Sequence, residues 1–173
     1  RRFTNRGLVS ALSDGIRHAK NDAVLWMDSD LSMPPSKIPE LVVQLSEYDI
    51  AVGSRYVQDG KDDRGLWLHG ALSYGLNRCC SFLFTQDITD WTSGFVCARK
   101  SVLETMGLNG FYGEYCIDLL YRSKLAGYTV KEIPYICINR VNGSSKTITG
   151  LFGFLKTGWR YLRLVFRLKT SRI

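Results

Sequence analysis

The chain has 173 residues, 45% of them hydrophobic, enough for one well-filled core and too few for two comfortable ones. A formal charge of +7 and a pI near 9.3 suit partners rich in phosphate, whether nucleic acid, nucleotide sugar or an anionic membrane face. The five cysteines (Cys79, Cys80, Cys97, Cys116, Cys137) contain no Cys-x-x-Cys pair, and His18 and His69 form no His-x-x-x-His pattern, so neither a disulfide framework nor a zinc site is indicated.

No apolar stretch follows Arg1-Arg2-Phe3-Thr4-Asn5-Arg6, so no signal peptide is expected and the start reads as a cut. Helical spacing from Gly7 to Lys20 places Leu8, Ala11, Leu12, Ile16 and Ala19 on one face. The apolar run Ala23-Val24-Leu25-Trp26-Met27 is the next strand, and it ends in Asp28-Ser29-Asp30. Pro34-Pro35-Ser36 opens a second helix with Ile38, Leu41, Val42 and Leu45 inward, before a strand at Asp49-Ile50-Ala51-Val52-Gly53-Ser54. Alternating helix and strand imply parallel pairing.

From Arg55 to Gly70 glycine and charge take over, the composition of a mobile loop or lid over a site. Helical spacing resumes from Ala71 to Phe84. Asp90-Trp91-Thr92-Ser93-Gly94-Phe95 reads as a turn, and a further helix runs from Glu114 to Ala126, with Gly127 as its left-handed stop. Strands are expected at Tyr128–Pro134 and at Tyr135–Ile138. The stretch from Ile148 to Leu168 carries Lys156, Arg160, Arg163 and Arg167 on one helical stripe, with Leu155, Trp159, Tyr161, Leu162, Val165 and Phe166 filling the rest. Two readings fit that pattern: a helix lying in a membrane interface, or a terminal helix packed on the domain with a basic outer face. The charges exclude a membrane span of about twenty apolar residues.

The acidic pair carries the most chemistry. Two carboxylates at the C-terminal edge of a buried strand stand where open α/β sheets bind ligands. Close carboxylates repel unless a cation or proton is shared, and hard divalent ions take such oxygens together with substrate phosphates. A solvated acidic turn is the plainer reading of the same residues.

Together the segments resemble the inverting glycosyltransferases of GT-A fold that charge a lipid phosphate, the dolichol-phosphate mannose synthases and related polyprenyl-phosphate glycosyltransferases. The resemblance rests on Asn5-Arg6-Gly7-Leu8, Asp28-Ser29-Asp30-Leu31-Ser32, Gly53-Ser54-Arg55-Tyr56, Asp90 to Phe95, Ile117 to Arg122, Glu132-Ile133-Pro134 and Asn139 to Lys146, in family order. It implies an α/β chain with a mixed, mostly parallel sheet and flanking helices, in which residues 1–147 are a partial catalytic domain and 148–173 a basic amphipathic helix. The family's opening strand and helix, which hold most of the nucleotide base and ribose, are expected to be absent from this chain.

The resemblance further implies transfer of a hexose, mannose from GDP-mannose foremost, with inversion to a dolichyl or polyprenyl phosphate at the cytoplasmic face of a membrane. A UDP-sugar donor, a saccharide acceptor, or a non-catalytic lipid-phosphate-binding fragment are the alternatives. Asp28 and Asp30 would hold Mg²⁺ or Mn²⁺, with Ser32 where family members carry Gln or Ser. Arg55 joins them as a catalytic residue. Arg64, Arg140, Ser144, Ser145 and Lys146 would bind the acceptor phosphate, while Asp90, Ser93 and Asp118 would shape the sugar pocket. Read from the residues alone, Arg55 could pair with a nearby acid, Arg64 could be a solvated loop charge, Asp118 could pair with Arg122, and Asp90 or Ser93 could cap a turn. No nucleic-acid motif is present, so a nucleic-acid partner is not expected.

Overall fold

The computed structural model describes residues 7–65, 67–139 and 150–170. In chain order the elements are α1 (Leu8–His18), β1 (Ala23–Trp26), α2 (Ile38–Val43), β2 (Ile50–Ser54), β3 (Lys61–Asp63), α3 (Trp67–Leu83), β4 (Val96–Arg99), α4 (Lys100–Met106), α5 (Tyr115–Leu125), β5 (Val130–Pro134), β6 (Ile136–Ile138) and α6 (Gly150–Thr170). Short 3₁₀ turns at Pro35–Lys37 and Gln44–Ser46 flank α2.

Four strands form the main sheet in the order β1-β4-β2-β5. β2 and β5 pair in parallel, whereas β4 runs against both of its neighbours, with Trp26 opposite Val96 and Val52 opposite Val96 from the other side. The sheet is therefore mixed. Three of its strands point one way, and the alternation of helix and strand could not reveal that β4 inserts between β1 and β2. β3 and β6 form a separate two-stranded parallel sheet.

Side-chain alternation on the fully buried β2 and β4 divides the core into two layers. Ile50, Val52, Val96 and Ala98 face α1, α4, α5 and the end of α6, while Ala51, Phe95 and Cys97 face Leu41, Leu45 and Tyr135. α1 buries Val9 and Ile16 with Leu12 packed between them, so its inward stripe is rotated from the expected one: Leu8 and Ala11 are exposed. Val42 of α2, also expected inward, is exposed as well. α4, which the sequence pattern did not reveal, follows β4 without a break and stops at Gly107, where φ is 60°. α5 stops as expected, with Gly127 at φ 86° and its N–H donating to the Lys124 carbonyl at 3.1 Å.

α6 packs on the domain, as one of the two readings of its pattern expects, and leaves a second apolar and basic stripe outward. Leu164, Val165 and Leu168 are buried in the main core, while Trp159 and Phe166 stand 68% and 70% exposed beside the exposed Arg160, Arg163 and Arg167. Its apolar residues encircle more than one face, so one stripe docks and another is left outward. No described helix is long and apolar enough to cross a membrane.

Two glycines separate backbone freedom from packing. Gly15, within α1, has open space where a Cβ would stand, so Gly15→Ala should stabilise by about 0.5–1 kcal/mol. A Cβ at Gly60 would lie 2.6 Å from the Ser54 carbonyl oxygen, so Gly60→Ala should destabilise by about 1–3 kcal/mol. Thermal unfolding of the two variants should move in opposite directions.

Candidate active site

β1 delivers its acids through a strained turn. Beyond Trp26 the chain leaves the sheet, Leu31 adopts φ 61°, and the Ser32 N–H donates to Asp30 Oδ1 at 3.1 Å. A left-handed leucine is uncommon and costs on the order of 1 kcal/mol, so the surroundings must hold it. Met33 packs into the second core layer, and the Ser32 carbonyl accepts the Ile138 N–H at 3.1 Å from β6. Asp28, Asp30 and Ser32 all line a cavity of about 1010 Å³.

Arg55, directly after β2, enters the same cavity, and its side chain is only 6% exposed. Its Nε donates to Asp90 Oδ2 at 2.8 Å and its Nη2 to Asp90 Oδ1 at 2.7 Å, a two-pronged pair with a carboxylate that is fully buried. The Arg55 backbone N–H binds the same carboxylate at 3.0 Å, and Nη2 also donates to Thr92 Oγ1 at 2.9 Å. Although burial opposes the charge, Asp90 holds the guanidinium protonated well above its ordinary range.

Asp90 is pinned from behind. Glu132 of β5 accepts the backbone N–H of Thr89 and of Asp90, each at 2.8 Å, and the Thr89 hydroxyl. From the other side Asn77 of α3, fully buried, accepts the Trp91 N–H at 2.6 Å and donates to Thr92 Oγ1 at 2.9 Å. Asp90 thus does not line the cavity as a sugar-pocket residue; the ion pair with Arg55 takes both its oxygens. Asp118 is likewise absent from the cavity lining, since α5 buries it in an ion pair with Arg122 at 2.8 Å and a bond from Asn109. Ser93 does reach the cavity, and its hydroxyl accepts the Phe95 N–H at 3.2 Å.

The stretch expected as a lid is folded down where it is described. β3 pairs with β6 through Asp62 opposite Cys137, and the charges that made the segment look solvated bind one another. Asp62, 11% exposed, accepts Arg64 Nε at 2.7 Å and Arg64 Nη2, and Arg55 Nη1 approaches it at 3.4 Å. Burial raises the Asp62 carboxyl, but Arg64 and Arg55 outweigh it and hold it below the usual carboxylate range. These pairs therefore persist at neutral pH and are lost only as acid passes that lowered value. Arg64 lines the cavity with Arg55.

Thr92, Asn77, Glu132 and Asp62 escaped the sequence reading, because single polar residues on a helix or a turn carry no periodic signal. Thr92 and Glu132 stood within recognised segments without a role of their own. Tyr115, also lining the cavity, accepts the Trp26 Nε1–H at 2.7 Å and fixes the wall beside the acids. The apolar wall comes from α3 and α6 through Leu72, Leu76, Tyr161 and Leu162. Arg140, Ser144, Ser145 and Lys146 lie outside the described residues. The five cysteines are free thiols, four of them buried.

No group of three or more His, Cys, Asp and Glu side chains forms a metal cage among the described residues. Two neighbouring carboxylates fit a different arrangement, in which a hard divalent cation sits on one or two protein acids and completes its shell with water and substrate phosphates.

A family model described as glycosyl transferase family 2 matches residues 1–107. A dolichol-phosphate mannosyltransferase of Pyrococcus furiosus is 36% identical over 97% of this chain and 46% of its own length. A polyprenol monophosphomannose synthase of Mycolicibacterium smegmatis is 35% identical over 69% of this chain and 47% of its own. The chain thus spans about half the length of these two curated relatives. Among solved structures, glucosyl-3-phosphoglycerate synthase of Mycobacterium tuberculosis with bound UDP aligns at TM-score 0.66 and 16% identity, over 94% of this chain and 55% of that one. A further mycobacterial protein aligns at TM-score 0.70 and 17% identity, over 97% of this chain and 53% of that one. These likenesses place the fold among GT-A-like α/β structures.

Removing one partner of a buried ion pair strands the other charge. Asp90→Asn should destabilise by about 3–5 kcal/mol, whereas the double exchange Arg55→Met with Asp90→Leu should lose much less. Urea unfolding midpoints of the two variants check this order.

Proposed function

The chain belongs to glycosyl transferase family 2, and from that premise we propose that its cavity serves inverting transfer of a hexose from a nucleotide sugar to a polyprenyl phosphate. Mannose, passed to dolichyl or polyprenyl phosphate, is the form of the reaction most consistent with the relatives' names, and GDP-mannose is the donor proposed for it. One observation carries the choice of a phosphate acceptor. Among the described residues the only acids lining the cavity are Asp28 and Asp30, while Asp90 and Asp118 are bound to their own arginines. A sugar hydroxyl needs a general base to become a nucleophile. A phosphate is already ionised and needs none.

In the reaction an acceptor phosphate oxygen attacks the anomeric carbon from the face opposite the nucleoside diphosphate. The new carbon–oxygen bond forms as the bond to the diphosphate breaks, which inverts the configuration. Held by Asp28 and Asp30 with Ser32 beside them, Mg²⁺ or Mn²⁺ would neutralise the charge that builds on the leaving diphosphate. Arg55 and Arg64 are each matched by an acid, so further cations for a second anion are assigned to Arg140 and Lys146, with Ser144 and Ser145 as hydrogen-bond donors. Ser93 borders the sugar. Leu72, Leu76, Tyr161 and Leu162 give the acceptor an apolar wall, and the substrate class with a phosphate head and a hydrocarbon tail fits both surfaces.

The outward face of α6 would bring the cavity to the lipid. Trp159 and Phe166 suit the headgroup boundary, and Arg160, Arg163 and Arg167 suit anionic headgroups, each contributing about 1 kcal/mol near the surface.

Two measurements test this reading. In the intact protein Asp30→Ala should abolish transfer at saturating Mg²⁺ or Mn²⁺ while leaving the melting temperature near that of the parent, and parental turnover by the variant would remove Asp30 from the site. Exchanging Arg160, Arg163 and Arg167 for Gln should release the protein from anionic vesicles in a sedimentation assay without unfolding it. Binding that ignores both the exchange and added salt would remove the membrane from the reading.

A further inference from the structure

The cavity presents two guanidinium groups, and a count of their donors separates their tasks. Each guanidinium carries five N–H donors in a fixed plane. Arg55 spends Nε and one Nη2 donor on Asp90, its other Nη2 donor on Thr92, and one Nη1 donor toward Asp62. One donor is left. Arg64 spends only Nε and one Nη2 donor, both on Asp62. Its Nη1–Nη2 edge has no hydrogen bond among the described protein groups, and its side chain is 36% exposed where it lines the cavity.

We propose that Asp62 is a positioning residue, which clamps one edge of Arg64 so that the opposite edge grips a substrate phosphate through two hydrogen bonds, and that Arg55 is a structural cation rather than a phosphate ligand. The proposal rests on the reading of the cavity as a phosphate-handling site. Asp62 is suited to the task because it cannot swing. Its backbone is paired to Cys137, its side chain is 11% exposed, and its second oxygen is shared with Arg55. The clamp on Arg64 is therefore anchored through Arg55 and Asp90 to Glu132 on β5. An arginine held by Nε and Nη2 keeps the Nη1–Nη2 edge for a second, coplanar pair of oxygens, and phosphate presents such a pair. Lysine at the same place would keep the charge and lose the fork.

Asp62→Asn alone is ambiguous, since it frees Arg64 and also removes a negative charge from beside the phosphate. A double-mutant cycle isolates the orientation. Binding to the intact protein is measured by calorimetry with two probes, a short-chain prenyl monophosphate and inorganic pyrophosphate with Mg²⁺. Arg64→Lys should weaken at least one of them on the order of tenfold, the loss expected for one charge-assisted hydrogen bond. In the Asp62→Asn background the same exchange should cost less than about threefold. Loss confined to the monophosphate assigns the grip to the acceptor, and loss confined to pyrophosphate assigns it to the donor. No loss with either probe overturns the phosphate grip, and equal loss in both backgrounds overturns the positioning by Asp62.

A second readout needs no variant at position 62. In ¹⁵N spectra of the arginine side chains, phosphate should shift the Arg64 guanidinium and leave that of Arg55 in place, and the reverse pattern would overturn the division of labour. None of these measurements requires turnover. Binding as expected in a protein that transfers no sugar would refute the transfer reading and leave this one standing.

Discussion

An arginine cannot be buried behind the end of a strand unless an acid comes with it, and the pair Arg55–Asp90 is the constraint on which the rest of the site depends. Stripping two charges of water costs several kcal/mol per ion, which is recovered only when geometry is good and the remaining donors and oxygens are also satisfied. Here they are. Asp90 receives the backbone N–H of Arg55 as well as its guanidinium, Thr92 takes a further donor, and Glu132 and Asn77 hold the 89–92 turn from opposite sides. That turn leads through Gly94 into β4, the strand that joins β1 to β2, so the ion pair anchors the segment that enters the middle of the sheet.

The same pairing sets the electrostatics of the cavity. Arg55 and Arg64 look like two free cations facing a diphosphate, but each already has an acid of its own. What remains to a ligand is the outer edge of Arg64 on a nearly neutral scaffold rather than a surplus of positive charge. On the proposed reading, a site of that kind would leave most of the work of neutralising phosphates to a divalent ion at Asp28 and Asp30 and to the basic residues Arg140 and Lys146. The overall charge of +7 is therefore a poor guide to the described part of the cavity, and three of the basic groups stand on the outer face of α6.

Much of the fold was legible in the sequence because it rests on local chemistry. The apolar run before Asp28, the Pro34-Pro35 opening of the next helix and the Gly127 stop each carry their own signal. The placement of β4 between β1 and β2 does not, since pairing partners far apart in sequence leave no periodic trace. In the site, the resemblance brought Asp28, Asp30, Ser32, Arg55, Arg64 and Ser93 to one cavity. Asp90 and Asp118 lie instead in buried ion pairs off the cavity lining, because an acid beside a ligand and an acid beside an arginine look alike until burial is known. Asp118 with Arg122 four residues on was the exception, a helical spacing that announced its own ion pair. The Arg55–Gly70 segment misled for a related reason: Arg55, Lys61, Asp62, Asp63 and Arg64 pair with one another within the segment, beside a short β3–β6 pairing that glycine and aspartate content conceals.

The central claim is that the cavity acts on an acceptor that is already ionised. The most direct test offers the intact protein a radiolabelled nucleotide sugar with a polyprenyl phosphate and, in parallel, with the corresponding polyprenyl alcohol. The account predicts a labelled lipid product of inverted anomeric configuration from the phosphate and none from the alcohol. Equal labelling of both acceptors, or of neither, would contradict it.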